Sequence, residues 1–160
     1  MKAVLQRVHN ASVMVDDKVT GAIQKGILVY LGVAADDTEN DALKLAEKIS
    51  HIRIFEDAEG KMNLSLTDIV QQETAQAAKD ETKVGVLAVS QFTLLADTRR
   101  GRRPFFGVAA ESEKANTLYQ YFMEEVKKQG LVCEAGIFQA HMKVTYTNDG
   151  PVTILLDSHE

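Results

Sequence analysis

Hydroxyl and amide side chains interrupt an apolar run in the middle of the chain. Ser90, Gln91 and Thr93 follow the apolar residues 84–89, so they stand where a buried strand would end. Such groups can hold and polarise a substrate, and Thr93 is also a candidate nucleophile. Threonine needs an adjacent base or an N-terminal amine for that chemistry, and no neighbouring residue supplies one. Two interpretations stay open: these three side chains hold a substrate, or they satisfy buried backbone groups.

The Gly150-Pro151 pair is a second interruption, directly before the apolar run 152–156. An X-Pro bond is the only peptide bond with a realistic chance of being cis, in roughly 5–6% of cases. A cis bond there would fix backbone carbonyls in an unusual direction. We expect residues 148–151 to form a turn between two closing strands, over 143–147 and 152–156.

A basic island lies in an acidic chain of net charge −5. Four of the eighteen Lys and Arg residues fall within five positions: Arg99, Arg100, Arg102 and Arg103. The net charge argues against broad, nonspecific nucleic-acid binding, because that mode rests on many phosphate contacts. The island is either a solvated loop or a local phosphate-binding site. The second interpretation is favoured because the island begins six residues beyond Thr93.

Metal and cofactor motifs are missing from the sequence. There is no Cys-x-x-Cys or His-Glu-x-x-His, and the four histidines are scattered without ligand spacing. Neither Gly-x-Gly-x-x-Gly nor a Walker-type phosphate loop occurs. We therefore predict no metal and no cofactor. The single cysteine, Cys133, cannot form an internal disulfide, and we interpret it as a buried, inert thiol.

The length of 160 residues suits one compact domain over 1–160. The first residues lack the charged segment, apolar core and cleavage site of a signal peptide. No apolar stretch approaches the ~18 residues that span a bilayer. These features predict a cytoplasmic protein with no membrane partner.

The elements that position the candidate residues mix strands and helices. Alternation over 3–8, the polar pair Asp16-Asp17 and the β-branched run 27–31 predict a strand-rich opening with a hairpin. Thr38 and Asp41 form a capping box for a helix. Four residues mark the buried face of that helix: Ala42, Leu45, Ala46 and Ile49.

The later elements follow the same logic. Residues 52–55 are expected to form a return strand, and 65–83 a mobile loop or short helix at the periphery. A strand over 84–95 precedes the basic island, and a second amphipathic helix spans 112–128. This order predicts an α+β fold: a layered, barrel-like sandwich of mostly antiparallel or mixed sheet, with two main helices packed on one side.

Two segments, 90–94 and 148–153, closely resemble motifs of the D-aminoacyl-tRNA deacylases, also called D-tyrosyl-tRNA deacylases. The resemblance covers nearly the whole chain. It includes the opening Gln6-Arg7-Val8, residues 61–64 and the pair Arg103-Pro104.

The resemblance implies an enzyme that cleaves the ester between a D-amino acid and the 3′-terminal ribose of tRNA. Glycine mischarged on tRNA-Ala is a further implied substrate. It also implies a homodimer with its active site at the subunit interface, where a cis Gly150-Pro151 pair from one copy rejects L-amino acids. Ser90, Gln91, Phe92 and Thr93 would line the ester, and the 2′-hydroxyl of the terminal adenosine would assist.

The basic island then fits the phosphates of the acceptor end, which are contacts that position a nucleic acid without reading its sequence. Two alternatives stay open. The chain could be a noncatalytic tRNA- or protein-binding module on the same scaffold, or a structural dimer unit without a ligand.

Overall fold

The computed structural model describes residues 1–76 and 83–160. Its main elements, in chain order, are β1 (Lys2–Val15), β2 (Lys18–Ile23), β3 (Lys25–Gly32), α1 (Glu39–His51), β4 (Phe55–Glu56), β5 (Met62–Leu64), α2 (Leu66–Gln76), β6 (Val84–Ser90), a 3₁₀ turn (Phe92–Leu95), α3 (Ser112–Lys128), β7 (Val132–Ala135) and β8 (Lys143–Asp157).

A mixed sheet of six strands forms the centre of the fold. Its order is β2-β1-β3-β6-β7, and β8 pairs with β1. The pairings of β1 are antiparallel, whereas β3 with β6 and β6 with β7 are parallel. The predicted hairpin between β1 and β2 is confirmed, with Asp16 and Asp17 at φ values of 47° and 60°. Positive φ values at both central residues suit a two-residue hairpin turn.

The sheet curls until β2 and β7 touch. A Cβ at Gly21 in β2 would lie 2.5 Å from the carbonyl oxygen of Ala135 in β7, so this approach requires glycine. The fully buried side chains of Val13, Leu28 and Leu87 fill the inside of the curl. The predicted α+β, barrel-like mixed sheet is confirmed.

The helices cover the other face of the sheet. Ile49 of α1, with Phe122 and Val126 of α3, packs into a larger apolar cluster against the strands. The capping box of Thr38 and Asp41 begins α1 as predicted. Among the described residues, no helix is both long and apolar enough to cross a membrane.

A third helix, α2, occupies part of the segment predicted to be peripheral. That prediction is wrong for its first turn, because Leu66 and Ile69 are buried in the core. Ser65 and Asp68 cap the start: Ser65 N donates to Asp68 Oδ2 at 2.8 Å, and Asp68 N donates to Ser65 Oγ at 3.2 Å. Residues 77–82 of the predicted loop lie outside the described residues.

Two predicted strands are shorter in the structure. The strand predicted over 84–95 ends at Ser90, because the chain then tightens into the 3₁₀ turn. The return strand predicted over 52–55 is reduced to β4, which pairs with β5 and, among the described residues, with no other strand. Both differences arise where the neighbouring strand, rather than local composition, decides how far pairing runs.

Candidate active site

The first candidate site lies where β6 ends. Ser90 is the last residue of the strand, opposite Leu31, and Gln91 N donates to Leu31 O at 2.8 Å. The 3₁₀ turn then packs on β3, since a Cβ at Gly32 would lie 2.6 Å from Leu95 and 3.0 Å from Gln91 O. The turn therefore holds the polar residues at the carboxyl end of a buried parallel strand, where α/β sheets commonly bind ligands.

Thr93 stands exposed on this turn, and its hydroxyl oxygen accepts a hydrogen bond from the Gln91 side-chain amide. An amide donor is not a base. Among the hydrogen bonds of the described residues, none joins the Thr93 hydroxyl to a histidine or carboxylate. The structure thus brings Gln91 and Thr93 together without the base that a threonine nucleophile requires.

Phe92 forms the apolar wall of this site. Its side chain is 57% exposed, and its ring meets that of Phe106 at 4.9 Å and 63°, an edge-to-face contact. Aromatic pairs favour this geometry. The contact connects the 3₁₀ turn to the segment that follows the basic island.

The second candidate site is a bulge in β8. Gln6 pairs with Thr153 and Val8 pairs with Asn148, so residues 149–152 all lie opposite the single residue Arg7. The predicted turn between two strands is therefore wrong. The chain does not reverse at 148–151, because both halves of β8 pair with β1 in the same direction. The extra residues instead leave the ladder as an exposed protrusion, hereafter the Gly-Pro bulge (149–152).

The Gly-Pro bulge contains a cis peptide bond between Gly150 and Pro151. Both residues are exposed. Gly150 has a φ of +122°, and a Cβ there would lie 2.9 Å from Arg7 Nη2. Glycine is therefore required at this position by its backbone conformation and by the arginine beneath it.

Arg7 supports the Gly-Pro bulge from below and is 6% exposed. Its Nε donates to Asp149 O at 3.1 Å, and its Nη1 donates to Ile54 O at 2.7 Å. The Asp149 carboxylate lies 3.3 Å from Nε, which balances the charge. This role was not predicted from the sequence, although an arginine in line with the core-facing residues Ala3 and Leu5 was a signal.

Side chains also close the base of the bulge. Asn148 Oδ1 accepts from Val152 N at 3.3 Å, and Asn148 Nδ2 donates to Thr153 Oγ1 at 3.1 Å. Gln6 Nε2 donates to the same hydroxyl oxygen at 3.2 Å. The bulge is therefore fixed at both ends by its own chain. No hydrogen bond among the described residues joins it to the 3₁₀ turn.

The basic island forms a loop closed at its base. Asp97 and Phe105 exchange two backbone hydrogen bonds of 2.7 and 2.9 Å. Arg99 donates two hydrogen bonds to the Asp97 carboxylate, from Nε at 2.9 Å and from Nη2 at 2.7 Å. These hydrogen bonds lower the pKa of Asp97 to about 2. The other three arginines of the island, Arg100, Arg102 and Arg103, are exposed and take part in no ion pair within the described ranges.

Comparison with known proteins places the chain in a family. The family model described as D-Tyr-tRNA(Tyr) deacylase matches residues 4–157. This chain belongs to that family. A D-aminoacyl-tRNA deacylase of Koribacter versatilis is 52% identical over 158 residues, covering 99% of this chain and 97% of the relative. One of Bacillus pumilus is 49% identical over 160 residues and the full length of both. The chain is an enzyme, a hydrolase with D-aminoacyl-tRNA deacylase activity.

Solved structures share the same architecture. The structure of a protein named c-Myc DNA Unwinding Element Binding Protein superposes with a TM-score of 0.82 at 38% identity, over 98% of both chains. A probable eukaryotic D-amino acid tRNA deacylase has a TM-score of 0.77 at 17% identity over 97% of both chains, which supports the fold alone.

Other reactive groups of the enzyme have structural roles. Asp36, Asp37 and His159 place potential metal ligands within 4.8 Å. The buried Asp37 carboxylate, however, already accepts hydrogen bonds from the Met1 amino group and from Ala34 N, both at 2.5 Å. Burial raises the pKa of the Cys133 thiol to about 12, so it stays protonated at neutral pH.

Proposed function

We propose that this enzyme hydrolyses the ester between a D-amino acid and the 3′-terminal adenosine of tRNA, and rejects the L-amino acid through the Gly-Pro bulge. Glycine mischarged on tRNA-Ala, which has no side chain to reject, is a second proposed substrate. The family supports the reaction. The observation that carries the chiral screen is the bulge, an exposed piece of main chain held in place by Arg7 and Asn148.

Rejection of the L-isomer needs more than a shaped apolar pocket. One methylene in such a pocket distinguishes substrates by only ~1–3 kcal/mol, whereas correctly charged L-aminoacyl-tRNA is the common species. Fixed backbone carbonyls can do more, because they accept hydrogen bonds from the substrate's amino group and leave no space where an L side chain would project. The hydrogen bonds beneath Gly150 and Pro151 support this role, since they keep the main chain from yielding to the wrong isomer.

The hydrolysis itself is proposed to use the substrate's own 2′-hydroxyl. Water adds to the ester carbonyl carbon, the bond from that carbon to the ribose O3′ breaks, and the 2′-hydroxyl relays the proton from water to O3′. Ser90, Gln91 and Thr93 hold and polarise the ester, with Phe92 as the wall. The hydrogen bond from the Gln91 amide to Thr93 supports this assignment, because an amide donor is not a base and does not activate the threonine as a nucleophile.

A second copy of the chain is proposed to complete the site. Leu155, Val4 and Tyr30 form one row across β8, β1 and β3, and paired residues point to the same face of a sheet. Leu155 is 77% exposed in a single chain. A partner lying on this face would cover the row. Its own Gly-Pro bulge would then reach the exposed Phe92 and Thr93, to which the bulge makes no hydrogen bond within one described chain.

The arginines of the basic island are proposed to hold the phosphates of the acceptor end. Arg100, Arg102 and Arg103 are exposed, and Arg99 keeps the loop attached to Asp97. Such contacts supply affinity and orientation, while the bulge supplies selectivity. Because the proposed substrate is charged tRNA, we also assign the enzyme to the cytoplasm.

Deacylation of matched D- and L-tyrosyl-tRNA by the purified enzyme tests the proposal. We expect the D ester to be cleaved and the L ester to be spared. A D-tyrosyl-tRNA whose terminal adenosine lacks the 2′-hydroxyl should be cleaved far more slowly. Equal cleavage of both isomers would overturn the chiral screen, and full activity on the 2′-deoxy substrate would overturn the assistance by the 2′-hydroxyl.

Nucleic-acid binding that does not lead to hydrolysis is a second candidate function, beside the deacylase activity. The structural neighbour at 38% identity favours it, because that protein's name refers to DNA binding. The same assay separates the two functions, because binding alone would retain D-tyrosyl-tRNA without releasing tyrosine.

A further inference from the structure

An exposed aromatic ring stands at the base of the basic island. Phe105 is 67% exposed. A Cβ at Gly107 would lie 2.3 Å from two atoms of the Phe105 ring, so the ring rests against the backbone of Gly107. Both backbone hydrogen bonds with Asp97 fix the residue that carries the ring. The surface is therefore a flat aromatic face held in position, with most of its area open to solvent.

The position of Phe105 connects the arginines to the first candidate site, at the end of β6 (residues 90–93, hereafter the strand-end site). It directly follows the arginines and Pro104 in the chain. Its neighbour Phe106 contacts Phe92, the residue before Thr93. Consecutive Cα atoms lie about 3.8 Å apart, so the Phe105 backbone is next to the wall of the site.

Aromatic rings beside exposed arginines are typical of surfaces that bind single-stranded nucleic acid. Bases stack on the rings, and arginines contact the phosphates between them. A protein partner fits this surface less well. A partner that buried Phe105 would also approach Arg100, Arg102 and Arg103, which have no carboxylate partner within the described ranges. The single-stranded 3′ end of tRNA offers both unpaired bases and phosphates.

We propose that Phe105 is a stacking platform for the unpaired nucleobase that precedes the terminal adenosine, with the adjoining phosphates facing the arginines of the basic island. This inference rests on the proposed function, because it places the terminal adenosine at the strand-end site. It adds a base-binding subsite that contributes affinity for the acceptor end and is separate from the chiral screen.

Two variants isolate the aromatic face. Phe105→Leu keeps an apolar side chain but removes the ring, and Phe105→Trp restores a larger ring. Val108→Ala is the matched control, because Val108 is also an exposed apolar residue of this segment, at 56%. Size-exclusion chromatography with light scattering and thermal melting accompany each variant, to exclude changes in assembly or folding.

The first readout compares substrates of different length. The kcat/KM for D-tyrosyl-tRNA is divided by that for D-tyrosyl-adenosine, which lacks the preceding base. Stacking of one base predicts that Phe105→Leu lowers this ratio by about 5- to 150-fold, mainly through KM. Phe105→Trp should restore the ratio, and Val108→Ala should leave it unchanged.

The second readout does not depend on hydrolysis. An RNA hairpin with an unpaired 3′ end carries 2-aminopurine in place of the nucleotide before the terminal adenosine. Anisotropy of a dye on the hairpin measures binding, and 2-aminopurine emission measures stacking. We expect the wild type and Phe105→Trp to change the emission at saturation, and Phe105→Leu to bind without changing it.

Each outcome decides the inference. An unchanged substrate ratio, equal losses on both substrates, or the same emission change with Phe105→Leu would overturn it. An altered oligomeric state in Phe105→Leu would also overturn it, by assigning the ring to a protein interface. If the wild type cleaves neither ester, the proposed function fails, whereas the emission readout still judges the stacking platform.

Discussion

The Gly-Pro bulge and the basic island are both exposed protrusions built around a glycine, yet they are held in different ways. Gly150 in the bulge has a φ of +122° and lies close above Arg7. Gly101 in the island has a φ of +76°, with nothing within 4 Å of its Cβ position. Hydrogen bonds that involve Arg7 and Asn148 fix the bulge at both ends, whereas the island is attached at its base.

We propose that this difference separates selectivity, at the bulge, from affinity, at the island. A rigid main chain can discriminate between isomers, because it does not adapt to the wrong one. A loop that is free above its base can follow a flexible, charged ligand such as a single-stranded nucleic acid. We therefore expect substitutions under the bulge to change which isomer is cleaved, and substitutions in the island to change how tightly tRNA binds.

Gly150→Ala should have the largest effect. A φ of +122° is strained for alanine, and the new Cβ would lie 2.9 Å from Arg7 Nη2, so the bulge and the guanidinium beneath it must shift. A displacement of about 1 Å can cost about 100-fold in rate, which is the expected fall in kcat/KM for D-tyrosyl-tRNA. Gly60→Ala is the control, because Gly60 also has a positive φ of +76° but open space at its Cβ position. Equal effects of the two substitutions would contradict the role of the bulge.

Arg7→Met should have the second largest effect. The substitution leaves the carbonyl groups of Ile54 and Asp149 without their hydrogen-bond donor. An unsatisfied buried acceptor costs about 1–3 kcal/mol, so we expect a loss of that size in the free energy of unfolding. The ratio of D to L cleavage should also fall. Urea unfolding and paired deacylation assays measure the two effects. Arg53→Met is the matched control, since Arg53 is exposed and donates to Asn63 O. If Arg7→Met lowers stability but keeps the D to L ratio, the arginine supports only the fold.

The double substitution Arg100→Ala and Arg102→Ala should raise KM and leave the D to L ratio unchanged. Each lost phosphate contact lowers the slope of log affinity against log salt by about 0.7–0.9, so the slope should fall by about 1.5 for two contacts. Binding of uncharged tRNA at several salt concentrations measures this. Lys18→Ala with Lys127→Ala removes the same charge elsewhere and serves as the control. An identical salt slope in the two double variants would show that the basic island is a solvated loop without phosphate contacts.

Thr93→Ala should have the smallest effect, below about tenfold in kcat. Loss of a true nucleophile costs on the order of 10⁶, as in serine proteases, so the assay separates the two roles clearly. Intact-mass spectrometry during turnover provides a second check. A covalent aminoacyl group on Thr93 would show that the residue attacks the ester.

Local signals in the sequence predicted those parts of the fold that local interactions decide. The helix predicted over 112–128 begins and ends at those residues, because its apolar stripe and its C-terminal glycine lie within the same segment. Thr38 and the Asp16-Asp17 turn behave alike, since a cap and a two-residue turn act on immediate neighbours. The capping pair of Ser65 and Asp68 was an equally local signal, and it was overlooked.

Long-range pairing decided the parts that were predicted wrongly. Residues 148–151 have the composition of a turn, but both flanking segments pair with β1, so they form a bulge. The role of Arg7 depends on that register, because 142 positions separate it from Asp149. The strand-end residues were found from their order in the chain. In the proposed dimer, their relation to the bulge depends on a second copy, which one sequence does not show.

Pro151→Ala tests most directly whether the Gly-Pro bulge rejects L-aminoacyl-tRNA. The measurement is the ratio of kcat/KM for D-tyrosyl-tRNA to that for L-tyrosyl-tRNA, in the variant and in the wild type at equal folded concentration. We predict that L-tyrosyl-tRNA is cleaved measurably faster while D cleavage and folding are largely kept, so the ratio falls. An unchanged ratio, with L-tyrosyl-tRNA still spared, would show that the bulge does not screen the isomers.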